Sequence, residues 1–391
     1  MLFRKFKIKS RNIALVGIIE FIIGFTFFIP ILALYIEKEL FSVTNVALIF
    51  TVQAITAAIL EIPTGAIADL FGRKKTYLLA NLIFTSGIVF LYIGGSMAMF
   101  VIFAILTAAG AALVSGTDSS IIYDTLKQEK KEKHYKKITG ILNSLWPFGA
   151  IIGSVAGGFF ATFSLKLPIL LSLIPFIIAL IVTLFIEEPK YKKEIHRNIF
   201  KQMRNSSRVV LNNKQLLLLI AAGLIIIAFG ESIHLLKPLF FDFKNIPIEY
   251  FGIVFGFTYA CSSVGFFFSH RVSEWLGNKN TLIIATILTM VFLFIATLTN
   301  GVLAIVFLVI TSIFYGLRGP IMEHFLNIEI PSSKRATVLS INNLVSRLGM
   351  GVVTPFIGYC ADLWNINTAY AISTSFMIIA IALFMFVKDK P

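Results

Sequence analysis

The chain has 391 residues, of which 57% are hydrophobic and 14% are charged, and its mean hydropathy is +0.88. A soluble domain of this length needs far less apolar surface, so the composition excludes a soluble globular protein and indicates a helical membrane protein. The formal net charge of +14 would suit a nucleic-acid-binding protein, but the basic residues are distributed over the loops between apolar segments, which argues against nucleic acid as a partner.

In chain order, twelve apolar segments approach the ~20 residues that a helix needs to cross a bilayer. We predict spans at 13–36, 43–63, 76–93, 97–117, 138–163, 167–186, 216–241, 249–269, 281–298, 302–323, 336–361 and 366–387. The basic tail before the first span resembles the start of a signal peptide. The apolar run at 13–36 is too long for the core of a signal peptide, and further spans follow it, so we expect a retained helix.

The basic residues are divided unequally between alternate loops. Of the 34 lysines and arginines, 28 lie in the two tails or in the loops that follow the second, fourth, sixth, eighth and tenth spans. The opposite loops hold only Lys38, Lys166, Lys237 and Lys244. Since short loops rich in lysine and arginine stay in the cytoplasm, we predict a multi-pass protein of the cell membrane with both termini in the cytoplasm.

The segment after the second span reads Gly65-Ala-Ile-Ala-Asp69-Leu-Phe-Gly72-Arg73-Lys74, and we place it in a short loop. This G-x-x-x-D-x-x-G-R-K pattern resembles the signature loop of the major facilitator superfamily. The resemblance covers the whole chain and implies an all-α membrane protein with twelve transmembrane helices in two pseudo-symmetric six-helix halves. It also implies a secondary transporter that works by alternating access.

Each residue of this motif has a physical reason. Gly65 allows backbones to approach closely, and Gly72 can adopt a positive φ where the chain turns. The resemblance implies a cytoplasmic gate in which Asp69 meets the positive N-terminus of the eleventh helix, capped by Ser332 or Ser333. Arg73 and Lys74 would take part in the same gate, with Asp124 as a partner of the basic residues. The alternative, that these cations only set the topology, is favoured for Lys75.

The longest polar stretch divides the spans six and six. We therefore predict an N-terminal six-helix bundle at 1–187, a basic cytoplasmic linker at 188–214 and a C-terminal six-helix bundle at 215–391. A shift of about 205 residues brings the signature segment onto Glu274, Gly277 and Lys279, which supports a parallel duplication. The second copy has Asn278 in place of the arginine, so we expect a weaker gate there.

The fifth span contains Gly149, Gly153, Gly157 and Gly158 in a pattern that resembles the antiporter motif of drug/proton exchangers. Ser154 stands where that motif has proline. Three of the glycines recur every four residues and therefore mark one face of a helix, which can pack closely on a neighbour. The resemblance favours efflux, and ordinary close packing of helices is the alternative.

A charge near the centre of a transmembrane helix costs ~2.5–3.5 kcal/mol, so each charged residue within a span is a functional candidate. The resemblance implies that the first, fourth, seventh and tenth helices line a central cavity. We predict roles in proton coupling or in the cavity for Glu20, Asp118, Glu231, His234, Arg318 and Arg347. Glu20 is the deepest carboxylate, and Asp118 is placed near the cytoplasmic end of the fourth span.

Several classes of function lack support. No His, Cys, Asp or Glu cluster has the spacing of a metal site, Cys261 and Cys360 suggest no disulfide framework, and neither a phosphate-binding loop nor a nucleophile–base pair is present. We expect a monomer, without a cofactor or enzymatic activity, whose partners are the lipid bilayer, protons and a small amphipathic substrate. Proton-coupled efflux of multidrug type is the leading hypothesis. Transport of a nutrient, lipid precursor or metal ion, or a receptor without transport, are the alternatives.

The charge asymmetry yields a topological prediction. Single cysteines placed at Lys130 and Lys201, in a chain without its two native cysteines, should react with an impermeant maleimide only from the cytoplasmic side. A cysteine at Lys166 is the matched control and should react from outside. External labelling of Lys130 or Lys201 in intact cells would reverse the predicted orientation.

Overall fold

In a computed structural model the chain is described at residues 11–189, 207, 210–331 and 334–388, with the backbone alone at 61–70, 116, 136, 335 and 336. The described residues form helices, with no strand among them. The helices are α1 (Asn12–Ile23), α2 (Leu32–Leu40), α3 (Val43–Phe71), α4 (Arg73–Ile93), α5 (Met97–Gln128), α6 (Tyr135–Ala161), α7 (Leu167–Leu184), α8 (Lys214–Leu235), α9 (Lys237–Phe243), α10 (Phe251–Leu276), α11 (Asn278–Leu298), α12 (Gly301–Glu329), α13 (Arg335–Leu363) and α14 (Ile366–Met385).

Eleven of the described helices are long and apolar enough to cross a membrane. They are α3 to α8 and α10 to α14. The twelfth predicted segment is the first, which is divided between α1 and α2. The all-α membrane fold expected from the sequence is therefore confirmed, and the chain is a multi-pass membrane protein.

The prediction of one continuous first helix is wrong. Helix α1 ends at Ile23, and after an irregular stretch a short 3-10 turn at Ile29–Ile31 leads into α2. Pro30 contributes to this break because proline has no backbone N–H. The freed backbone groups find partners, as they must where water is absent. The Phe27 N–H donates to the Ser172 hydroxyl over 3.0 Å, and the Thr26 hydroxyl donates to the Ile23 carbonyl over 2.7 Å.

The seventh segment has a similar break. Helix α8 ends at Leu235 and α9 begins at Lys237, again with a proline, Pro238, in the first turn. The Tyr370 hydroxyl donates to the Ile233 carbonyl over 2.6 Å, close to the break. The two half-chains thus interrupt their first spans in corresponding places, as expected of a duplicated architecture.

Two predicted helix ends are also wrong. Helix α3 continues to Phe71, so the signature segment from Gly65 lies in a helix and only Gly72 stands between α3 and α4. Helix α5 continues to Gln128, which places Asp118 and Asp124 inside the helix and not at or beyond its end. The polar residues that we read as loop residues are accommodated because helices extend past the apolar part of their span.

The described residues group into two compact units. Unit 1 takes in those within 1–40, 55–196 and 248–256, and unit 2 takes in those within 41–54, 197–247 and 257–391. Unit 1 has an apolar core that includes Val16, Tyr77, Ile121 and Leu142. The core of unit 2 includes Leu219, Leu282, Phe325 and Phe384. Most of the predicted linker at 188–214 lies outside the described residues, and the domain boundaries at 187 and 215 stay a prediction.

Helix α3 begins in unit 2, where Asp362 near the end of α13 caps it. The Asp362 carboxylate accepts hydrogen bonds from the backbone N–H groups of Val43 (2.7 Å) and Thr44 (2.9 Å) and from the Ser42 hydroxyl (2.7 Å). An anion at a helix N-terminus satisfies free N–H groups and favours the helix dipole. This contact explains why the first turns of α3 belong to the unit that contains α13.

The glycines of the antiporter-like motif pack against backbone. A Cβ atom added at Gly149, Gly153 or Gly157 would overlap backbone atoms of residues 21–27, where the first span is broken. Gly158 faces a different neighbour, the backbone at 248–252 before and within α10. The periodic glycines of α6 therefore make room for the irregular backbone between α1 and α2.

This packing predicts the effect of adding one methyl group. Gly157→Ala should lower the stability of the folded protein by ~1–3 kcal/mol, because the new Cβ would collide with the Phe27 carbonyl and neither backbone can move cheaply. The readout is the thermal unfolding midpoint of purified protein in detergent.

Gly140→Ala is the matched control in the same helix, since no described atom lies within 4 Å of the added Cβ there. It should be neutral or stabilising, by up to ~1 kcal/mol, because alanine favours a helix over glycine. Equal midpoints for the two variants would contradict close packing at Gly157.

Candidate functional site

The first cluster of buried polar groups lies in unit 1 and is acidic. Glu20 on α1 and Asp118 on α5 are both partly buried, and their charges are close enough to interact. Both charges also act on the fully buried Tyr77 of α4. The backbone N–H and the hydroxyl of Ser119 donate to the Asp118 carboxylate. The structure thus brings together two of the carboxylates that the sequence analysis selected, with a tyrosine that it missed.

The second cluster surrounds a cavity of about 220 Å³ within unit 2. Three predicted site residues line it: Glu231 and His234 from α8, and Arg318 from α12. Tyr259, Tyr315 and Tyr370 supply the aromatic part of the wall, and Leu293, Leu308 and Met377 contribute to its apolar part. The arrangement offers a mainly apolar space with a few converging charged groups, which is the usual composition of a small-molecule site.

Arg318 is held at the wall of this cavity by α11. Its Nη1 atom donates to the Thr289 hydroxyl over 2.8 Å and to the Ala285 carbonyl over 3.4 Å. Only 7% of the arginine is exposed, and among the described residues no carboxylate lies within ion-pair distance of it. A guanidinium in this position retains its charge and its planar set of donors.

The position of Lys237 differs from the one predicted from the sequence. We assigned it to a loop outside the membrane, whereas it opens α9, is only 7% exposed and lines the cavity. Its charge interacts with Glu231. The signal was present in the sequence, because Lys237 falls inside the predicted seventh span at 216–241.

Lys244, predicted to lie in the same loop, is also buried, and its ammonium group forms hydrogen bonds with backbone carbonyls. Its ammonium donates to the carbonyls of Thr297 and Thr299 over 3.0 and 2.6 Å, at the end of α11. Burial lowers the pKa of this ammonium group. A cation at a helix C-terminus stabilises the free carbonyls there, which explains its burial without a ligand.

In the signature segment, the residues around Gly72 take part in capping the start of α4 and the end of α7. Gly72 has φ = 98°, which favours glycine, and the Glu188 carboxylate accepts from the N–H groups of Arg73 (2.6 Å) and Lys74 (2.9 Å) at the start of α4. The Lys74 ammonium donates to the Leu184 carbonyl over 2.7 Å at the end of α7. Sequence reasoning missed Glu188, which we had placed in the linker.

The Arg73 side chain pairs with Asp124 of α5, with 3.5 Å between Nε and Oδ2 and only 13% of each side chain exposed. The side chain of Asp69 and the surroundings of Gly65 lie outside what the structure describes, as do Ser332 and Ser333. The predicted gate contact of Asp69 with the start of the eleventh span, which is α13 in the structure, therefore stays a prediction.

The second half repeats part of this arrangement. Gly277 also has a positive φ, of 82°, and precedes α11, and the Lys279 ammonium donates to the Met385 carbonyl of α14 over 2.6 Å. Asn278 replaces the arginine at the start of α11. The duplicated feature is thus the glycine turn with a lysine that caps a helix.

The other predicted residues lie apart from the cavity. Arg347 is half-buried on α13 and is not among the cavity-lining residues. Cys261 and Cys360 are free thiols. Within the described part of the chain, no group of three His, Cys, Asp or Glu side chains could hold a metal ion.

Comparisons with known proteins agree on the family. The sequence profile of the Major Facilitator Superfamily matches residues 14–353 and 245–391. The chain is 23% identical to an uncharacterized MFS-type transporter of Bacillus subtilis strain 168, over 92% of this chain and 91% of the relative. It is 24% identical to Multidrug resistance protein 2 of the same organism, over 94% and 92%.

Solved structures show the same fold. The nucleoside transporter NupG superposes with a TM-score of 0.83 at 13% identity, covering 97% of this chain and 99% of that one. An inward-facing bacterial homologue of the lysosomal transporter Spinster gives a TM-score of 0.75 at 17% identity, covering 97% of each chain. Because the family profile matches residues 14–353 and 245–391, in agreement with the twelve apolar segments and the shared fold, the chain belongs to the major facilitator superfamily of membrane transporters.

Proposed function

We propose that this transporter exports a small amphipathic compound across the cell membrane in exchange for protons, with both termini in the cytoplasm. The observation that carries the proposal is the pair of partly buried carboxyl groups, Glu20 and Asp118, on two different helices of unit 1. Two carboxylates whose charges repel can share a proton and release it when their surroundings change.

The direction of transport is supported by the relatives. Multidrug resistance protein 2 matches along nearly the whole chain, and Quinolone resistance protein NorA of Staphylococcus aureus is 23% identical over 43% of this chain and 42% of its own. The glycine motif of α6, which resembles that of drug/proton exchangers, agrees with export. A membrane potential of about 150 mV supplies about 3.5 kcal/mol for each proton, enough for a gradient of a few hundredfold.

Proton coupling through Glu20 is testable by mimicking its protonated form. Glu20→Gln should abolish accumulation driven by a pH gradient but retain downhill exchange, because the substrate path stays open while the proton site is lost. The assay uses proteoliposomes with an imposed pH gradient and a panel of fluorescent amphipathic compounds that includes a quinolone and ethidium.

Asp118→Asn and Glu231→Gln identify the carrier if it is not Glu20. Full pH-driven accumulation by Glu20→Gln would exclude this carboxylate. The same result for all three variants would exclude all three carboxylates as the proton carrier. Transport by the wild-type protein that does not respond to the pH gradient would contradict proton-coupled export.

The Arg73–Asp124 pair and Asp69 are proposed to belong to the cytoplasmic gate. Arg73→Ala, Asp124→Asn and Asp69→Asn should each slow transport by about tenfold, equivalent to ~1.4 kcal/mol on the barrier, with a smaller effect on ligand affinity and on folding. Flux in proteoliposomes, corrected for the amount of protein inserted, measures the rate.

Lys75→Ala is the matched control, since Lys75 is exposed and adjacent to the motif. Its flux should equal that of the unmodified protein. Normal flux in the three gate variants would remove these residues from the transport cycle.

A further inference from the structure

The charges around the cavity of unit 2 do not balance. Its described lining contains two cations, Lys237 and Arg318, and one carboxylate, Glu231. With His234 neutral, as in the formal charge count of the chain, the group carries a net charge of +1. Both cations are at least nine-tenths buried, so bulk water solvates little of either side chain.

A buried charge is costly unless an opposite charge or several hydrogen bonds accompany it. Lys237 has such a partner, since its charge interacts with Glu231. Arg318 differs, because the acceptors that it contacts, Thr289 and Ala285, are neutral. The excess positive charge is therefore located at the guanidinium, on the wall of a space that a ligand can enter.

We propose that this cavity binds the anionic group of the transported compound, with Arg318 as the main ligand and Lys237 as a second positive group. The inference rests on the proposed transport of an amphipathic compound and specifies its class: a compact molecule with one carboxylate, or a group of the same charge and shape, attached to an aromatic or aliphatic body.

The geometry suits a carboxylate. Both hydrogen bonds of Arg318 lead from Nη1 to α11, which fixes the plane of the guanidinium. A guanidinium has five N–H donors and binds a carboxylate through two parallel hydrogen bonds. Thr289, which orients the arginine, is itself held by a 2.8 Å bond from its hydroxyl to the Ala285 carbonyl.

The rest of the wall suits an apolar body. Ile226, Leu293, Leu308 and Met377 line the same space, and Tyr259 adds an aromatic ring with a polar end. The volume of about 220 Å³ is below the ~300–1,000 Å³ of sites for drug-sized ligands. The cavity therefore favours a compact amphipathic anion over a bulky lipophilic cation.

Binding at equilibrium tests the charge preference without any gradient. The probes are phenylacetate, phenylacetamide and phenethylammonium, which have similar skeletons and carry a negative charge, no charge and a positive charge. Titration calorimetry is performed on the full-length protein in phosphatidylcholine nanodiscs, with empty nanodiscs as the blank. Phenylacetate should bind at least tenfold more tightly than the other two, a difference of about 1.4 kcal/mol.

Four variants locate the site. Arg318→Gln should remove the preference for phenylacetate, and Lys237→Gln should weaken it. Arg318→Lys should keep the preference with lower affinity, because the charge remains but the planar fork is lost. Lys244→Gln is the matched control: it removes a buried cation of unit 2 that is not part of the cavity lining, and phenylacetate binding should not change.

If Arg318→Gln does not fold, Thr289→Val tests the same prediction, since it removes the anchor of the guanidinium and should also weaken phenylacetate binding. Absence of phenylacetate binding, equal or tighter binding of phenethylammonium, or an unchanged preference in Arg318→Gln would overturn the proposal. These outcomes are separate from those of the proton-coupling test, because binding without a gradient does not require Glu20 to carry a proton.

Discussion

The close approach of α6 to the broken first span is the contact on which the architecture of unit 1 depends. In lipid, helices gain little from hydrophobic burial against one another, so association relies on tight packing and on satisfied backbone groups. Gly149, Gly153 and Gly157 provide the space for the irregular backbone at residues 24–28. The hydroxyl of Ser172 then accepts the N–H of Phe27, which the break leaves without a helical partner. Glu20 lies one turn before this break.

The two units differ in the chemistry of their buried charges. Unit 1 brings Glu20 and Asp118 together, whereas the cavity of unit 2 has Lys237 and Arg318 against the single carboxylate of Glu231. A transporter that exchanges protons for an organic anion needs groups of both kinds. Our proposals accordingly give proton transfer to the acidic pair and substrate recognition to the basic cavity. Intramembrane charges are expensive, which is the reason to expect that each cluster has a function.

The duplication conserves the parts of the structure that turn the chain and cap helices. Gly72 and Gly277 both have positive φ and directly precede α4 and α11, respectively. The ammonium groups of Lys74 and Lys279 both donate to a backbone carbonyl, Lys74 to one of α7 and Lys279 to one of α14. The pair between Arg73 and Asp124 is not repeated, since Asn278 stands in the second copy. Turn geometry and helix capping are backbone requirements common to both halves. The ion pair is present at one of the two turns only, and we propose that it belongs to the cytoplasmic gate.

The sequence by itself determined the fold class, the number of apolar segments and the signature motif with the positive φ of Gly72. It also identified ionisable groups within the apolar segments, namely Glu20, Asp118, Glu231, His234 and Arg318. These follow from length, hydropathy and spacing, which are local properties of the chain. Only the tertiary structure decided the break between α1 and α2, the extension of α3 through the motif, the cap of Glu188 on α4, and the burial of Lys237 beside Glu231. The break and the cap depend on partners that are distant in the chain, Ser172 for the Phe27 N–H and Glu188 for the start of α4. The predicted span 216–241 already contained Lys237, but its place on the cavity wall follows from the folding of unit 2.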